Sequence, residues 1–557
     1  MDKIRPLEAT INVKDYEAHV IEFNGFQIWD DAFVEAFNAL NDGDTFLIPD
    51  GTYYIRVRSV LENKNDITIE CQGTIMPVDG ETALIGTITL NDLSNVTINN
   101  LTMNGNRDNL PVTTTTGYQS LIEINGCQNV TFNNLYIYNT MESGLNSNGN
   151  IENITFNRPR FENIGEHAIY FGATDVNNVF INNLYCENIG MSPINDSRHV
   201  AVVKLRNKVD GDIKHRNIFI NDFTFISTTN KTGDRQLIQA FDTETAYVTT
   251  GTIVGEDTSI FGGNTAIEEM IINNVRFDGR RVCYNFNAKT GYNTPTDIIE
   301  HGAKEIIIVN SNIKGATDYL TDVMVYSHCK INFKNKQFKD SMATGVGRTC
   351  RFEYCELNVG EGRISIDKET DCNVEFSNVD FIGYQENRAQ PLVVNTGLQE
   401  DNSIIFSEVN VKTPLSLLIT TEKDVDMAIW NSHINAGIKS ANAKYKNLSI
   451  ENTKMKECRL SLYAQFENLE VEGLYDMDGV RKDESTHSTT IRAGQESTTY
   501  SLVYKRIDVV KPSDLTITND KNAEFESSVS ENIVTLTLTE VQDVDVNFTI
   551  KYKYTQE

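Results

Sequence analysis

An all-β solenoid, in which short parallel strands wind into stacked coils, is the fold class this sequence predicts, and three observations predict it. A phrase of asparagines around alternating apolar residues recurs as Asn129-Val-Thr-Phe-Asn-Asn-Leu135, Asn153-Ile-Thr-Phe-Asn157 and Asn178-Val-Phe-Ile-Asn-Asn-Leu184. The first asparagines stand 24 and 25 residues apart, a period that suits a coil of strands rather than a helical repeat. Related phrases appear at Asn95, Asn217, Met270, Ile306, Asn373, Ile404, Asn447 and Asn468. Each is a short strand with apolar residues on one parity, ended by a turn former.

Stacked about 4.8 Å apart, such strands find ladder partners above and below, and their Val, Ile and Phe side chains fill the interior. Asparagine at a repeated corner tolerates left-handed backbone angles and bonds to the backbone of the next coil. The repeated asparagines are therefore read as scaffold, and the residues between them as the place to look for chemistry.

Composition narrows the partners. The 557 residues carry 49 basic and 78 acidic side chains, a formal charge of −29, with 39% hydrophobic content. No long Lys/Arg run is present to follow a phosphate backbone, so nucleic acid is not an expected partner. No apolar stretch approaches the roughly 20 residues that span a bilayer, and the start, Met1-Asp-Lys-Ile-Arg-Pro-Leu-Glu8, lacks an apolar signal core. Neither membrane insertion nor export by the ordinary secretory route is expected. The nine cysteines form no Cys-x-x-Cys pair. Cys127, Cys186, Cys283 and Cys372 sit in or beside apolar repeat segments, which reads as reduced, buried thiols in a chain made in a reducing cytoplasm.

In chain order, residues 1–25 read as an N-terminal arm or first strand. Residues 31–42 read as a helix: Asp30 or Asp31 caps it, Phe33, Phe37 and Leu40 share a face, and Gly43 ends it. Asp44-Thr-Phe-Leu-Ile-Pro-Asp-Gly-Thr-Tyr-Tyr-Ile55 follows as strand, turn and strand. The repeat body covers residues 26–485, with loops expected at 190–198, 228–236 and 247–265, where the period widens to 39 residues between Asn178 and Asn217 and further beyond. Residues 484–490 read as a polar linker, and 486–557, with longer alternating strands such as 532–538 and 546–554, as a small antiparallel β-domain.

The helix after an Asp-Asp pair, followed by Ile-Pro-Asp-Gly-Thr-Tyr, resembles the opening of the pectate-lyase-like right-handed parallel β-helix superfamily. Phage tailspikes and appendage proteins, pectate lyases and polygalacturonases share that opening. The resemblance implies a right-handed parallel β-helix with an N-terminal cap helix. The terminal β-domain resembles those that hold phage spikes together, which implies a homotrimer.

Aligning coils on the repeated phrase places Glu142 and Glu166 thirteen residues after Asn129 and Asn153, stacked on adjacent coils. Ser143 then aligns with His167, and Leu145 with Ile169 faces inward. Glu142 and Glu166 take the outward parity with Asn146 and Tyr170. Allowing a seven-residue insertion at 192–198, Arg198 follows Glu166 in the column and His199 follows His167. Arg235 falls beside Arg198, with Lys204 and Arg206 farther along the strand.

Two close carboxylates resist double ionisation, so one can serve as general acid and the other as base or nucleophile. Arginines beside them suit a uronate, sialate or phosphate group, and Tyr170 suits stacking on a sugar ring. A lyase, in which arginine neutralises a uronate and His or Tyr takes the neighbouring proton, fits the same set. The expected catalytic residues are Glu142, Glu166, His167 and His199, and the expected substrate-binding residues are Tyr170, Arg198, Lys204, Arg206 and Arg235. A solvated ion ladder of little net energy would carry the same residues.

The polygalacturonase series of Asn-Thr-Asp, Asp-Asp, Gly-His-Gly and Arg-x-Lys is missing, as is the pectate-lyase Arg-x-Pro-x-x-Arg segment. Those absences limit the enzyme reading. The resemblance, taken with the absent export signal, the acidic charge, the reduced cysteines and the terminal β-domain, points to a phage tailspike or appendage depolymerase, located in the virion tail with other tail proteins and acting on a bacterial cell-surface glycan or teichoic acid. A non-catalytic receptor-binding fibre and a cellular lyase, hydrolase or epimerase are the alternatives. No cofactor is expected, and a divalent cation is left open.

Overall fold

A computed structural model describes residues 9–80, 87–111, 120–172, 175–192, 200–205, 215–229, 233–240, 243–263, 267–285, 303–318, 321–332, 337–340, 348–358, 363–366, 372–382, 392–394, 403–412, 417–419, 424–439, 444–457, 465–475, 477–479, 484–501, 515–530 and 533–553. The chain is a right-handed parallel β-helix with an N-terminal cap helix and a small C-terminal antiparallel part. It divides into two compact units, residues 1–324 and 325–557.

In the first unit each coil contributes up to three strands, and each strand pairs in parallel with its counterpart one coil on. One face stacks Ser94–Asn99, Gln128–Asn133, Ile151–Asn157 and Val176–Asn182, with Val96, Val130, Ile154 and Val179 in register. A second face stacks Tyr136–Tyr138, Arg160–Ile164 and Tyr185–Ile189. A third stacks Ser120–Asn125, Ser143–Ser147, Ile169–Phe171, Val200–Leu205 and Arg235–Gln239. Apolar residues on the inward parity are fully buried, and Phe132 stacks on Phe156 with ring centroids 5.0 Å apart.

The asparagines build ladders of their own. Asn95, Asn129, Asn153, Asn178 and Asn217 all adopt left-handed backbone angles, with φ of 55–56°. From Asn129 onward each Nδ2 donates to the Oδ1 of the asparagine one coil earlier, at 2.8–3.0 Å, and Asn95 at the start of the run donates to Asp66 Oδ1 at 3.1 Å. A second ladder joins Asn99, Asn133, Asn157, Asn182 and Asn221. These bonds run from side chain to side chain, where backbone acceptors were expected. An amide is both donor and acceptor, so a column of identical amides satisfies itself at every step except its ends.

The cap helix is Asp30–Ala39, with Phe33 and Phe37 buried and Phe37 packed 4.9 Å from Phe46. Neither aspartate caps it through its side chain. Asp30 instead accepts from the backbone N–H groups of Arg56 (2.8 Å) and Val57 (3.0 Å), tying the helix to the next strand. Burial raises the Asp30 carboxyl above its usual range, opposed by those two bonds.

The segment expected as a loop at 247–265 lies largely in one 21-residue strand, Thr243–Gly263, which pairs along its length with Ile267–Asn285. Its Gly, Thr and Ser residues read as turn formers but sit in a ladder. In the second unit parallel stacking continues in its own right, with Phe352, Phe376 and Phe406 stacked 5.1 Å apart. From Glu484 the strands are antiparallel and form two three-stranded sheets over a core of Ile491, Val534, Leu536, Leu538, Val546, Phe548 and Ile550. The polar run expected as a linker is itself a strand, Glu484–Ile491, paired with Val546–Lys553. Its Ser and Thr residues are β-compatible, so a polar composition does not keep the segment out of a strand.

Candidate functional site

The third face of the first unit carries the site. The inward residues Ile122, Leu145, Ile169, Val203 and Ile238 set its register. Each is followed by a residue of the opposite parity, giving the row Glu123, Asn146, Tyr170, Lys204 and Gln239. Although this parity was expected to face solvent, Glu123, Asn146, Tyr170 and Gln239 are only 2–7% exposed.

Glu142 and Glu166 stack as expected, the Glu166 N–H donating to the Glu142 carbonyl at 2.9 Å. Glu166 is buried and Glu142 half-buried. Beyond them the expected column slips. Ile169 pairs with Val203 and Tyr170 with Lys204, so carrying that register back three residues places Val200, rather than Arg198, beside Glu166, and Ala201, rather than His199, beside His167. The insertion is two residues longer than the spacing of apolar residues implied, and an even slip preserves parity, which is why the sequence alone does not reveal it. Arg198, His199 and Arg206 lie outside the described residues.

Arg235 pairs with Val200, so it belongs to the column, but its side chain is fully buried. Nη1 donates to the Gly233 carbonyl at 2.9 Å and Nη2 to the Gly190 carbonyl at 3.4 Å. A Cβ at Gly190, where φ is +73°, would stand 2.6 Å from Nε, so glycine lets the guanidinium lie flat against the backbone. The wall of the coil, rather than an open groove, holds this cation. Beside it the fully buried Asp234 accepts from Arg280 Nη1 at 2.8 Å and from Ser259 Oγ at 3.0 Å.

Three of the expected residues converge. His167, 2% exposed, accepts the Ala201 N–H on Nδ1 at 3.0 Å, and its Nε2 lies 3.0 Å from Lys204 Nζ. The Tyr170 ring lies 5.6 Å from the imidazole, nearly parallel, and 5.4 Å from Nζ. Nε2 faces the Lys204 amine, and which of the two donates depends on the imidazole tautomer. The tyrosine ring is near the outer limit of a cation–π contact with Lys204.

Sequence reasoning missed Glu123, Asn146, Gln236 and Gln239. Glu123 is held on both oxygens, by Asn148 Nδ2 at 2.9 Å and Arg58 Nη1 at 3.3 Å. Asn146 Oδ1, Gln239 Oε1 and both amide atoms of Gln236 are buried without a hydrogen-bond partner. The signal that finds the row is the inward aliphatic residue followed by a polar or aromatic one in five successive coils. Among the described residues, no group of three or more His, Cys, Asp or Glu side chains is placed to hold a metal ion.

No family model matches the chain, and no curated protein matches it. Solved structures of similar fold include the tailspike protein of E. coli bacteriophage HK620 in complex with a pentasaccharide, at 9% identity over 98% of this chain and 93% of that one, with a TM-score of 0.43. The exopolygalacturonase of family 28 from Yersinia enterocolitica is 12% identical over 67% of this chain and 78% of its own, with a TM-score of 0.33. The A-module of an Azotobacter vinelandii mannuronan C-5 epimerase is 12% identical over 77% and 99%, with a TM-score of 0.31.

Proposed function

We propose that this protein binds and cleaves a bacterial surface polysaccharide or teichoic acid, as a homotrimeric tailspike or appendage protein of a phage virion. The observation that carries the catalytic part is the contact of the buried His167 and Tyr170 with the half-buried Lys204, with Glu166 beside His167 in the chain and Glu142 one coil below. Lys204 and His167, in contact with one another, offer an amine and an imidazole suited to moving the proton next to a uronate carboxyl, and the Tyr170 ring offers a face to the sugar. Elimination is thus the favoured chemistry, with Glu166 placed to serve a departing or incoming proton. The virion and trimer parts rest on the resemblance of the opening motif and the terminal β-domain.

Receptor binding without cleavage is the second reading. Asn146, Gln236 and Gln239 favour it, because amides bind sugar hydroxyls without doing chemistry on them. Incubating the full-length protein with purified capsule and cell-wall polymers separates the two. Shortened products bearing a new ultraviolet-absorbing double bond, lost in Glu166→Gln and Lys204→Met, are expected. Polymers that stay full length but remain bound would leave the receptor role alone, and polymers neither bound nor shortened would end both.

A further inference from the structure

We propose that Gln236 and Gln239 form a binding subsite for a neutral pyranose unit, one coil beyond Lys204. The proposal rests on the glycan-binding reading above and deepens it by stating what kind of sugar lies next to the unit under attack. Gln236 is fully buried and Gln239 is 2% exposed, both on the strand Arg235–Gln239. Gln236 Nε2, Gln236 Oε1 and Gln239 Oε1 have no hydrogen-bond partner. A buried polar atom left without a partner costs about 1–3 kcal/mol. A methionine or leucine at either position would remove that cost, so groups of this kind are explained by a ligand that completes them.

The local backbone is shaped around these amides. Gln239 pairs with Gly262, and a Cβ at Gly262 would stand 2.2–2.4 Å from the amide atoms of Gln236. The Gln236 amide therefore lies across the Cα of Gly262, at the ladder position of Gln239, and only glycine admits it. On its other side Gln239 pairs with Lys204, which pairs with Tyr170. The amides thus stand one coil from Lys204 and two from the tyrosine ring. One coil is about 4.8 Å, a step close to the length of one sugar residue in an extended chain.

The chemistry of the cradle sets the class of its ligand. A carboxamide donates through Nε2 and accepts through Oε1, which matches a hydroxyl that does both. A carboxylate or phosphate there would meet acceptor oxygens. The neighbouring cation Arg235 is turned into the backbone carbonyls of Gly190 and Gly233, and Asp234 is engaged with Arg280. The subsite therefore selects a neutral, hydroxylated ring beside the acidic unit handled by Lys204.

The test measures binding of full-length protein to purified bacterial capsule and wall polymers whose sugar composition is known. Wild type is expected to bind a polymer containing a neutral sugar, and the free neutral monosaccharide is expected to compete. The double variant Gln236→Met with Gln239→Met is expected to bind about ten-fold or more weakly, with an unchanged or raised melting temperature. Gly262→Ala, which keeps both amides but displaces one, is expected to weaken binding as well. Wild-type affinity in the folded double variant would mean that the amides hold only buried water, and would overturn the subsite while leaving the glycan-binding reading intact. Wild type that binds none of the polymers would overturn both.

Discussion

Two faces of the same coils handle their polar groups in opposite ways. On the asparagine face the side chain repeats from coil to coil, so Asn153 Nδ2 reaches Asn129 and Asn178 Nδ2 reaches Asn153, and within the run each amide is bonded by its own copies. On the third face the row changes at every step, from Glu123 to Asn146, Tyr170, Lys204 and Gln239. Asn146 Oδ1 and Gln239 Oε1 in this row are buried without a hydrogen-bond partner. Repetition satisfies the amides of the scaffold, and where repetition is interrupted buried acceptors are left unsatisfied within the fold.

Substitutions break this comparison in a ranked way. The largest loss is expected for Asp234→Ala, which leaves Arg280 and Ser259 facing a fully buried gap. Breaking such a pair costs about 3 kcal/mol, measurable by denaturant unfolding. Asn153→Ala comes next, at about 2 kcal/mol, because it removes an amide bonded on both sides and forces alanine into a left-handed conformation. Asn153→Gly is expected to recover roughly half of that by relieving the backbone. On the third face, Asn146→Leu and Gln239→Met are expected to change stability by less than about 1 kcal/mol, or to raise it. A loss of about 2 kcal/mol there would make the two faces equivalent and remove the distinction.

The second face supplies a smaller and independent check. Burial and a hydrogen bond to Glu162 push the Tyr136 phenol up to about 12, and a hydrogen bond to Glu187 with burial does the same for Tyr185. Their folded pKa values lie above the unfolded value of about 10. The native state therefore holds these protons while the unfolded state has released them. The stabilising contribution is complete below pH about 10 and is lost as pH rises towards about 12. Spectrophotometric titration of the native protein is expected to show Tyr136 and Tyr185 among its late-ionising tyrosines, with Tyr53, which burial also pushes up to about 12, and Glu162→Gln is expected to bring Tyr136 forward.

The scaffold was legible because its signal is repetition. The spacing of Asn129, Asn153 and Asn178 alone fixes the coil, and the stacking of Glu142 on Glu166 follows from the same count. Legibility ended at the insertion before Val200. A slip of two residues there keeps every side chain on its expected parity while exchanging Arg198 for Val200 and His199 for Ala201. Gln236 and Gln239 were invisible for a different reason. Gln239 takes the parity that normally meets water, Gln236 that of the inward Ile238, and the burial that makes their amides informative is a property of the packed coil rather than of the local sequence. The strand Glu484–Ile491 was missed because composition reports exposure more faithfully than it reports pairing.

The most direct measurement of the central claim is the chain length of purified capsule and wall polymers after incubation with wild-type protein and with Lys204→Met, alongside the melting temperature of each. The account predicts that wild type shortens one of these polymers, and that the variant, melting within a few degrees of wild type, does not. Shortening by the variant at the wild-type rate would show that the row of His167, Tyr170 and Lys204 is not where the chemistry happens.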